Sequence, residues 1–434
     1  MKTRSMLSWV AAFALVLLST QAFAIDAEFY RLDYGHFKMG KFTLVPGLSV
    51  QAAYDDNIYL ASGFNVAAFP TEKIVHDWLT YVKPAFGVEY DISGRGKIQL
   101  GYQGTLTYYS SETDNNWQNH QALLGVDYEA PSGWIFKLKN DYNNKQDPYG
   151  DANSFGIGDT GKRWKNTTDG AVGFRFGETF KTMLYGNYDK QVYDKQATRP
   201  FDFTQDYQAY EGGIGFEGKV MPKTWAFARY YYQQFDYDTT SSQATSAGIN
   251  SSNDADYNRN RLNAGLSWDS GNKLGGELNL GWAWYNFKNE FDPSGVRYQD
   301  ENTWVAFTSI SFDPSEMTGF TFNLNRDLKS TGSQSKEFFI ETQIGANITQ
   351  KFLEKFEAFG GLTYAYQDYN TNNREDRNIQ LNAGMDYFIM KWLSCGVEYI
   401  HMQKDSSSNT VADQQGRLNE YSDNRYLFKI TAAY

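Results

Sequence analysis

The chain contains few histidines and cysteines, two residue types that often catalyse reactions or bind metals. Its four histidines stand at positions 36, 76, 120 and 401, and its one cysteine is Cys395. No HExxH, GxSxG or paired-cysteine motif is present, so the usual arrangements for a metal ion or a nucleophile are missing. The run Asp55-Asp56-Asn57 carries oxygen ligands but lacks the Gly and Glu of a calcium loop. We therefore expect no enzyme activity, no cofactor and no metal site.

The side chains that could contact a solute are instead charged or aromatic, and they recur along the whole chain. The sequence has 32 Tyr, 31 Phe and 11 Trp, yet its mean hydropathy is −0.59. A transmembrane β-barrel reconciles these two properties, because half of each strand faces water while aromatic girdles lie at the two membrane interfaces. Composition therefore favours an all-β membrane protein.

Alternation of apolar and polar residues predicts the strands. In residues 97–109, one face carries Ile98, Leu100 and Tyr102, and the other carries Lys97 and Gln99, because side chains alternate with a period of two. Similar patterns occur at 121–128, 277–284 and 379–387. From residue 41 onward the segments are about ten residues long, as outer-membrane strands require. A soluble sandwich would have shorter strands.

The connections between these segments alternate between tight and long. Tight turns are predicted near 91–96, 130–133, 177–180, 220–223, 269–273, 313–318, 349–354 and 388–391. Longer polar loops are predicted at 55–75, 111–118, 145–163, 195–205, 239–257, 288–300, 331–335, 370–375 and 405–421. Short periplasmic turns and long outer loops are typical of an antiparallel up-and-down transmembrane β-barrel. These connections join about 18 strands, or 16 or 20 if one hairpin is merged or missed.

Both ends of the sequence agree with export to the outer membrane. Lys2 and Arg4 precede an apolar run at 6–18, and a small-residue site ends at Ala24, so we expect a signal peptide at 1–24 and a mature chain beginning at Ile25. Residues 25–40 alternate poorly and are interpreted as a periplasmic lead-in or short plug before the barrel at 41–434. The last strand, 426–434, carries an alternating aromatic and apolar stripe that includes Tyr426, Phe428, Ile430 and Tyr434. This stripe resembles the C-terminal signal of bacterial outer-membrane barrels, which implies recognition by the barrel assembly machinery.

Charge argues against a nucleic-acid partner. Loss of Lys2 and Arg4 with the signal changes the net charge from −11 to −13, so the mature chain is acidic. The expected surroundings are outer-membrane lipid.

A barrel of this size encloses an aqueous channel, and the alternation assigns side chains to its lumen. The lumen-facing candidates are Tyr81, Lys83, Glu89, Lys97, Tyr109, Lys137, Lys139, Arg175, Glu211, Arg229, Arg261, Glu277, Tyr285, Glu341, Glu357, Glu398 and Lys429. Their mixed charge argues against a dedicated anion or cation filter. For any one of them, the simpler interpretation is that it solvates the wall or pairs with a neighbour.

Glycines recur on the same predicted face at a similar depth. They are Gly87, Gly101, Gly125, Gly173, Gly213, Gly215, Gly265, Gly281, Gly345, Gly361, Gly384 and Gly396. Their missing side chains predict a wide lumen at that level, and relief of strand curvature is the alternative explanation.

His120 and His401 lie near the outer ends of their strands, where a barrel enzyme would place a catalytic histidine, but no neighbouring motif supports that role.

Residues 46–59, Pro-Gly-Leu-Ser-Val-Gln-Ala-Ala-Tyr-Asp-Asp-Asn-Ile-Tyr, resemble the start of the putative beta-barrel porin 2 family. Members are outer-membrane proteins often associated with exopolysaccharide or capsule export. The resemblance implies a passive conduit for a polysaccharide, coupled to a periplasmic export apparatus. Tyr81, Tyr109 and Tyr285 are the candidates for stacking on sugar rings, with membership of the rim or of a packing cluster as the alternative for each.

Two other functions stay open. A diffusion porin for small solutes would fold one long loop inward as a constriction, and 239–257 or 145–163 could serve. A surface adhesin or structural barrel would have a plugged lumen. The loop at 239–257 is poor in apolar anchors, which favours a wide conduit over a constricted porin.

Overall fold

The computed structural model describes residues 37–62, 74–146, 161–194, 205–238, 255–268, 273–290, 297–330, 338–369, 374–407 and 420–433. The predicted signal peptide with its cleavage site at Ala24 and Ile25, most of the lead-in and Tyr434 lie outside these ranges. Within them, no helix is long and apolar enough to cross a membrane.

Nineteen strands run through the described residues. They are β1 (Phe37–Met39), β2 (Phe42–Asp55), β3 (Asp77–Asp91), β4 (Gly96–Tyr109), β5 (Trp117–Glu129), β6 (Trp134–Gln146), β7 (Lys162–Phe176), β8 (Phe180–Tyr193), β9 (Tyr207–Met221), β10 (Thr224–Tyr237), β11 (Tyr257–Trp268), β12 (Leu274–Phe287), β13 (Glu301–Ser315), β14 (Thr318–Ser330), β15 (Phe338–Phe352), β16 (Phe356–Tyr369), β17 (Glu375–Met390), β18 (Leu393–Ser406) and β19 (Tyr421–Ala433).

Strands β2 to β19 form a closed antiparallel barrel. Each strand pairs with the next along the chain, and β19 pairs with β2 from Arg425 opposite Asp55 to Ala433 opposite Gly47. This confirms the predicted 18-stranded barrel. Short β1 pairs with residues 42–44 of β2, beside the point where β19 ends, so the described part of the predicted lead-in lies along the wall.

As predicted, the connections at one end of the barrel are short and those at the other end are longer. Tight turns close one end, called here the short-turn end. In three of these turns Gly94, Gly133 and Gly177 have positive φ angles of 72°, 94° and 63°, which glycine adopts readily because it has no Cβ. The opposite end, the loop end, carries the longer connections.

Side chains that alternate along each strand divide into an apolar outer face and a polar inner face. Large outward side chains in the middle of strands are widely exposed, for example Leu184 at 60% and Leu262 at 51%. On β19 the outward stripe contains Tyr426, Phe428 and Ile430, which are also exposed. An apolar exterior around a polar interior is the arrangement of a barrel in lipid.

Candidate functional site

The inner face of the barrel carries every lumen-facing residue predicted from the sequence. Strand pairing follows this face around the barrel, for example from Lys137 opposite Asp127, to Arg175 opposite Lys181, to Arg261 opposite Tyr231. Tyr81, Lys83, Lys139, Glu211, Glu277, Glu341 and Glu398 lie on it as well. That these residues contact a solute stays a prediction.

A network of guanidinium and carboxylate groups covers the inner face of β9 to β12. Arg229 donates from Nη2 to Glu217 at 3.0 Å and from Nη1 to Glu277 at 3.0 Å. Lys181 contributes a further ion pair to Glu217 at 3.7 Å. All of these side chains are largely buried among one another, so the charges lie along the wall in paired form rather than projecting singly into the lumen.

A second group of the same kind lies nearer the loop end. Arg259 donates from Nη2 to Glu211 at 2.7 Å and from Nη1 to Asp327 of β14 at 2.9 Å. Arg261 donates from Nη2 to the other oxygen of Glu211 at 3.0 Å. We call Glu211, Arg259, Arg261 and Asp327 the guanidinium–carboxylate layer. Its two positive and two negative groups balance.

Ion pairs also join the strands near the closing seam. Lys429 on β19 lies 3.2 Å from Asp386 and 3.7 Å from Glu398. Nearer the loop end, Arg425 Nε lies 2.9 Å from Asp55 Oδ2 and 2.8 Å from Asp423 Oδ2. Arg425 thus bridges the last strand and the first strand of the barrel.

Basic and acidic residues concentrate on opposite walls of the lumen. We call the inner face of β6 to β11 the basic wall. Here basic residues outnumber acidic ones: Lys137, Lys139, Lys145, Arg163, Lys165, Arg175, Lys181, Lys219, Arg229, Arg259 and Arg261 against Asp141, Asp169, Asp189, Glu211 and Glu217.

The inner face of β15 to β19 and β2, which we call the acidic wall, has the reverse excess. Here Asp55, Glu341, Glu357, Asp376, Asp386, Glu398 and Asp423 stand against Lys351, Lys404, Arg425 and Lys429. In a closed 18-stranded barrel, β7 lies half the circumference from β16, so the two walls face each other. The mixed charge predicted from the sequence is therefore sorted across the lumen.

The three tyrosines predicted to stack on sugars have different environments. Tyr109 is 6% exposed and packs in a cluster with Ala53, Ile58 and Leu79. Tyr285 is fully buried, and its hydroxyl donates to Asp327. Neither ring has a face open to the lumen, so the alternative of a packing cluster describes both.

Tyr81 is half-buried on the inner face, with its ring centroid 6.4 Å from that of Trp117. It packs against the cluster that contains Tyr109. Of the three predicted tyrosines, it is the one that keeps part of its side chain exposed.

Two of the inner glycines, Gly213 and Gly384, do not leave gaps in the wall. A Cβ atom at Gly213 would lie 2.4 Å from Cδ1 of Tyr231, and one at Gly384 would lie 2.4 Å from Cζ of Phe359. In both pairs the aromatic residue stands directly opposite the glycine on the next strand. The ring of the neighbour thus covers the glycine, and the expectation of a wide level caused by missing side chains is corrected at these positions.

The described residues of the β14–β15 hairpin that flank its loop lie inside the barrel wall. Pairing between β13 and β14 stops at Ala306 opposite Arg326, whereas β14 and β15 stay paired up to Ser330 opposite Phe338. Leu328 and Phe338 occupy outer-face positions of this hairpin, yet they are buried against Ala283 and Val305 and other inner-face residues of β12 and β13.

Outer-face side chains of β14 and β15 can contact the inner face of β12 and β13 only if the hairpin bends into the barrel, over those two strands. We call residues 326–330 and 338–341 the inward hairpin. The apolar outer stripe of β14, which includes Phe322 and Leu324, is interrupted by Arg326, so a charged outer-face position marks the start of the bend in the sequence. The loops at 145–163 and 239–257, proposed as constrictions, lie mostly outside the described residues.

The remaining candidate chemistry is accounted for by local contacts. His120 and His401 both lie on the outer face, where His120 bonds to Tyr102 at 2.8 Å and His401 to Asn424 at 2.9 Å. Asp55 and Asn57 organise their own loop, with Asn57 N donating to Asp55 at 2.9 Å. Among the described residues, no group of three or more His, Cys, Asp or Glu side chains could hold a metal ion.

Comparison with known proteins identifies a family. The family model described as Putative beta-barrel porin 2 matches residues 35–420. No curated protein matches the chain. The outer membrane protein OpdK from Pseudomonas aeruginosa has a similar structure, with a TM-score of 0.45 and 10% identity over 90% of this chain and 99% of OpdK.

Two further solved structures resemble the chain at a similar distance. OpdO from Pseudomonas aeruginosa has a TM-score of 0.43 and 10% identity over 90% of this chain and 97% of its own. A bacterial polysaccharide outer membrane secretin has a TM-score of 0.34 and 8% identity over 90% of this chain and 98% of its own. At such identity and TM-scores, none of these three structures bears on the solute.

Proposed function

Because the chain belongs to the putative beta-barrel porin 2 family and forms a closed 18-stranded barrel, we propose that it is a diffusion channel for small hydrophilic solutes across the outer membrane. Barrels of this strand number leave an aqueous interior. Its family is one of channels rather than enzymes, so the barrel acts by selective passage.

The inward hairpin is the observation that carries this proposal. Its described residues pack over the inner face of β12 and β13, where they are held by apolar packing of Leu328 and Phe338 and by the ion pair between Arg259 and Asp327. An element packed inside the wall narrows the passage, as a size-selective porin requires. The inward hairpin thus supplies the constriction that the sequence suggested for the long loops at 145–163 or 239–257.

The opposed basic and acidic walls support the same function. A solute between them experiences a field directed across the lumen rather than along it. Small polar and zwitterionic molecules can orient in such a field, and neither sign of ion is excluded. This arrangement suits a channel of weak ion selectivity.

A polysaccharide conduit, implied by the resemblance at 46–59, is the less favoured function. A polymer would pass best through a lumen of uniform width, whereas the inward hairpin reduces the width at the loop end. No described residue singles out a periplasmic export apparatus as a partner.

The test is single-channel conductance of the purified protein in a planar bilayer, combined with swelling of liposomes in solutes of increasing size. We expect stable conductance, uptake of small sugars and amino acids, and exclusion of long oligosaccharides. Replacing Leu328→Ala and Phe338→Ala together should free the hairpin and raise both conductance and the size limit. Phe322→Ala, an outward residue of β14 that is 41% exposed, is the matched control.

Two results would contradict the proposal. Large conductance that long oligosaccharides block transiently would support the export conduit instead. A reconstituted barrel with no conductance and no solute uptake would move the function to a surface structure.

A further inference from the structure

A series of aromatic rings, in stacked and edge-to-face contacts, lines the inner face at the loop end of β9 to β12. Ring centroids lie 4.7 Å apart for Tyr207 and Phe235, 4.9 Å for Phe235 and Tyr257, and 6.0 Å for Tyr257 and Phe287. The series ends at Tyr298, 5.3 Å from Phe287. We call these five residues the aromatic arc. Phe287 also lies 4.7 Å from Phe338 of the inward hairpin, so the arc meets the narrow part of the passage.

None of the five side chains of the arc is completely buried. All five are half-buried, whereas Tyr285, two residues before Phe287 on β12, is fully buried. The stacked pairs are offset, as this centroid spacing requires, so no ring is covered completely by the next. Four neighbouring strands carry the first four rings of the arc, a span of about 14 Å at the usual strand spacing. More than one sugar ring fits along that length.

Paired charges lie next to the arc on the side of the short-turn end. Arg259 follows Tyr257 by two residues on the same face of β11, and it is tied into the guanidinium–carboxylate layer. At the other end of the arc, Tyr207 donates its hydroxyl to Asp189 at 3.1 Å, and Lys165 pairs with Asp189 at 3.0 Å. Donors and acceptors therefore accompany the rings, and their charges largely cancel.

We propose that the aromatic arc and the adjoining guanidinium–carboxylate layer form a binding site for a neutral sugar at the entrance of the channel. A pyranose ring has an apolar C–H face that packs on aromatic rings, and its hydroxyl groups both donate and accept hydrogen bonds. Guanidinium groups supply only donors and carboxylates only acceptors, so the layer complements hydroxyl groups. An aromatic acid fits less well, because Glu211 and Asp327 already neutralise both arginines. The inference rests on the proposed function and names its solute class.

The experiment measures binding directly, so that it does not depend on conductance. Equilibrium dialysis of radiolabelled maltotriose against the detergent-solubilised barrel gives the dissociation constant. We expect the double variant Phe235→Ala and Tyr257→Ala to raise the dissociation constant about tenfold, because the loss of each ring contact should raise it about threefold. Phe235→Leu with Tyr257→Leu keeps apolar volume and should weaken binding to a similar degree, because flat ring faces are required.

The matched control is Tyr232→Ala, an aromatic residue of β10 on the outer face that is 45% exposed. It should bind maltotriose like the unmodified protein. Heat-modifiable migration in gels verifies that each variant is folded. Absence of maltotriose binding, equal binding by all variants, or stronger arc-dependent binding of benzoate than of maltotriose would overturn the sugar site. A barrel that conducts but does not bind maltotriose would leave the small-solute channel standing.

Discussion

Arg229 on β10 is joined to Glu277 on β12 across the intervening strand β11. Nη1 lies 3.0 Å from Oε1, and the two residues are 8% and 5% exposed. Glu217 on β9 holds the other end of the guanidinium. One side chain thus links inner-face groups on β9, β10 and β12. Burying these charged groups removes them from water at a cost in free energy. Coulomb attraction and hydrogen bonds between the arginine and the two glutamates offset that cost only while all three side chains are present.

Replacing Arg229→Met should lower the free energy of unfolding by about 3–5 kcal/mol, because Glu277 is left buried without its cationic partner. Adding Glu277→Gln should restore part of the loss, since the remaining Glu217 keeps its pair with Lys181. Urea unfolding in lipid vesicles, followed by tryptophan fluorescence, measures both variants. Equal stability of the single and double variants would show that Glu277 does not depend on Arg229.

Gly213→Ala should destabilise the barrel by about 1–3 kcal/mol, because overpacking of this size forces neighbours to shift. The new Cβ would meet Tyr231 Cδ1 at 2.4 Å and the carbonyl oxygen of Tyr230 at 2.8 Å. Gly212→Ala, one residue earlier on the outer face, is the control, since nothing lies within 4 Å of its Cβ position. The same unfolding assay applies, and a control variant as unstable as Gly213→Ala would contradict the steric explanation.

Leu262→Arg should reduce stability by about 2–4 kcal/mol, because it places a charge on the lipid face in the middle of β11. Leu262 is 51% exposed on that face. Gln380→Arg, at an exposed inner-face position of β17, adds the same charge to the lumen and should be tolerated. The folded fraction recovered from outer membranes compares the two. Similar recovery would mean that the assigned faces are wrong.

Neutralising one wall should shift ion selectivity in a direction set by that wall. We expect Lys137→Gln on the basic wall to favour cations and Glu341→Gln on the acidic wall to favour anions, because each removes a local attraction for the opposite ion. Reversal potentials under a salt gradient measure the shifts. Arg377→Gln removes an exposed charge on the outer face and should leave the reversal potential unchanged. Shifts of the same sign in both wall variants would refute opposed walls.

The mature protein should begin at Ile25 if the predicted signal is removed. Replacing Ala24 by a bulky residue, Ala24→Trp, should block cleavage, because signal peptidases need a small side chain there. Intact-mass measurement of protein purified from outer membranes tests both statements. Retention of residues 1–24 in the unmodified protein would contradict the assignment.

The sequence by itself determined the barrel. Strand number, turn positions and the two faces follow from local properties, because a strand buries every second residue and a turn is marked by its own few residues. The polar stripe at 97–109 and the apolar stripe of Tyr426, Phe428 and Ile430 were therefore readable without structural information. The resemblance at 46–59 likewise identified the family that the match over residues 35–420 shows.

The shape and chemistry of the lumen were decided only by the tertiary structure. Whether Tyr109 and Tyr285 are open or buried depends on side chains from other strands, which the alternation of one strand does not reveal. The basic and acidic walls exist because closure of the barrel brings β7 opposite β16, far apart in the chain. The inward hairpin depends on where pairing between β13 and β14 ends, and the aromatic arc on the stagger of four strands. These relationships join residues that are distant in sequence, so the alternation of residues within one strand does not reveal them.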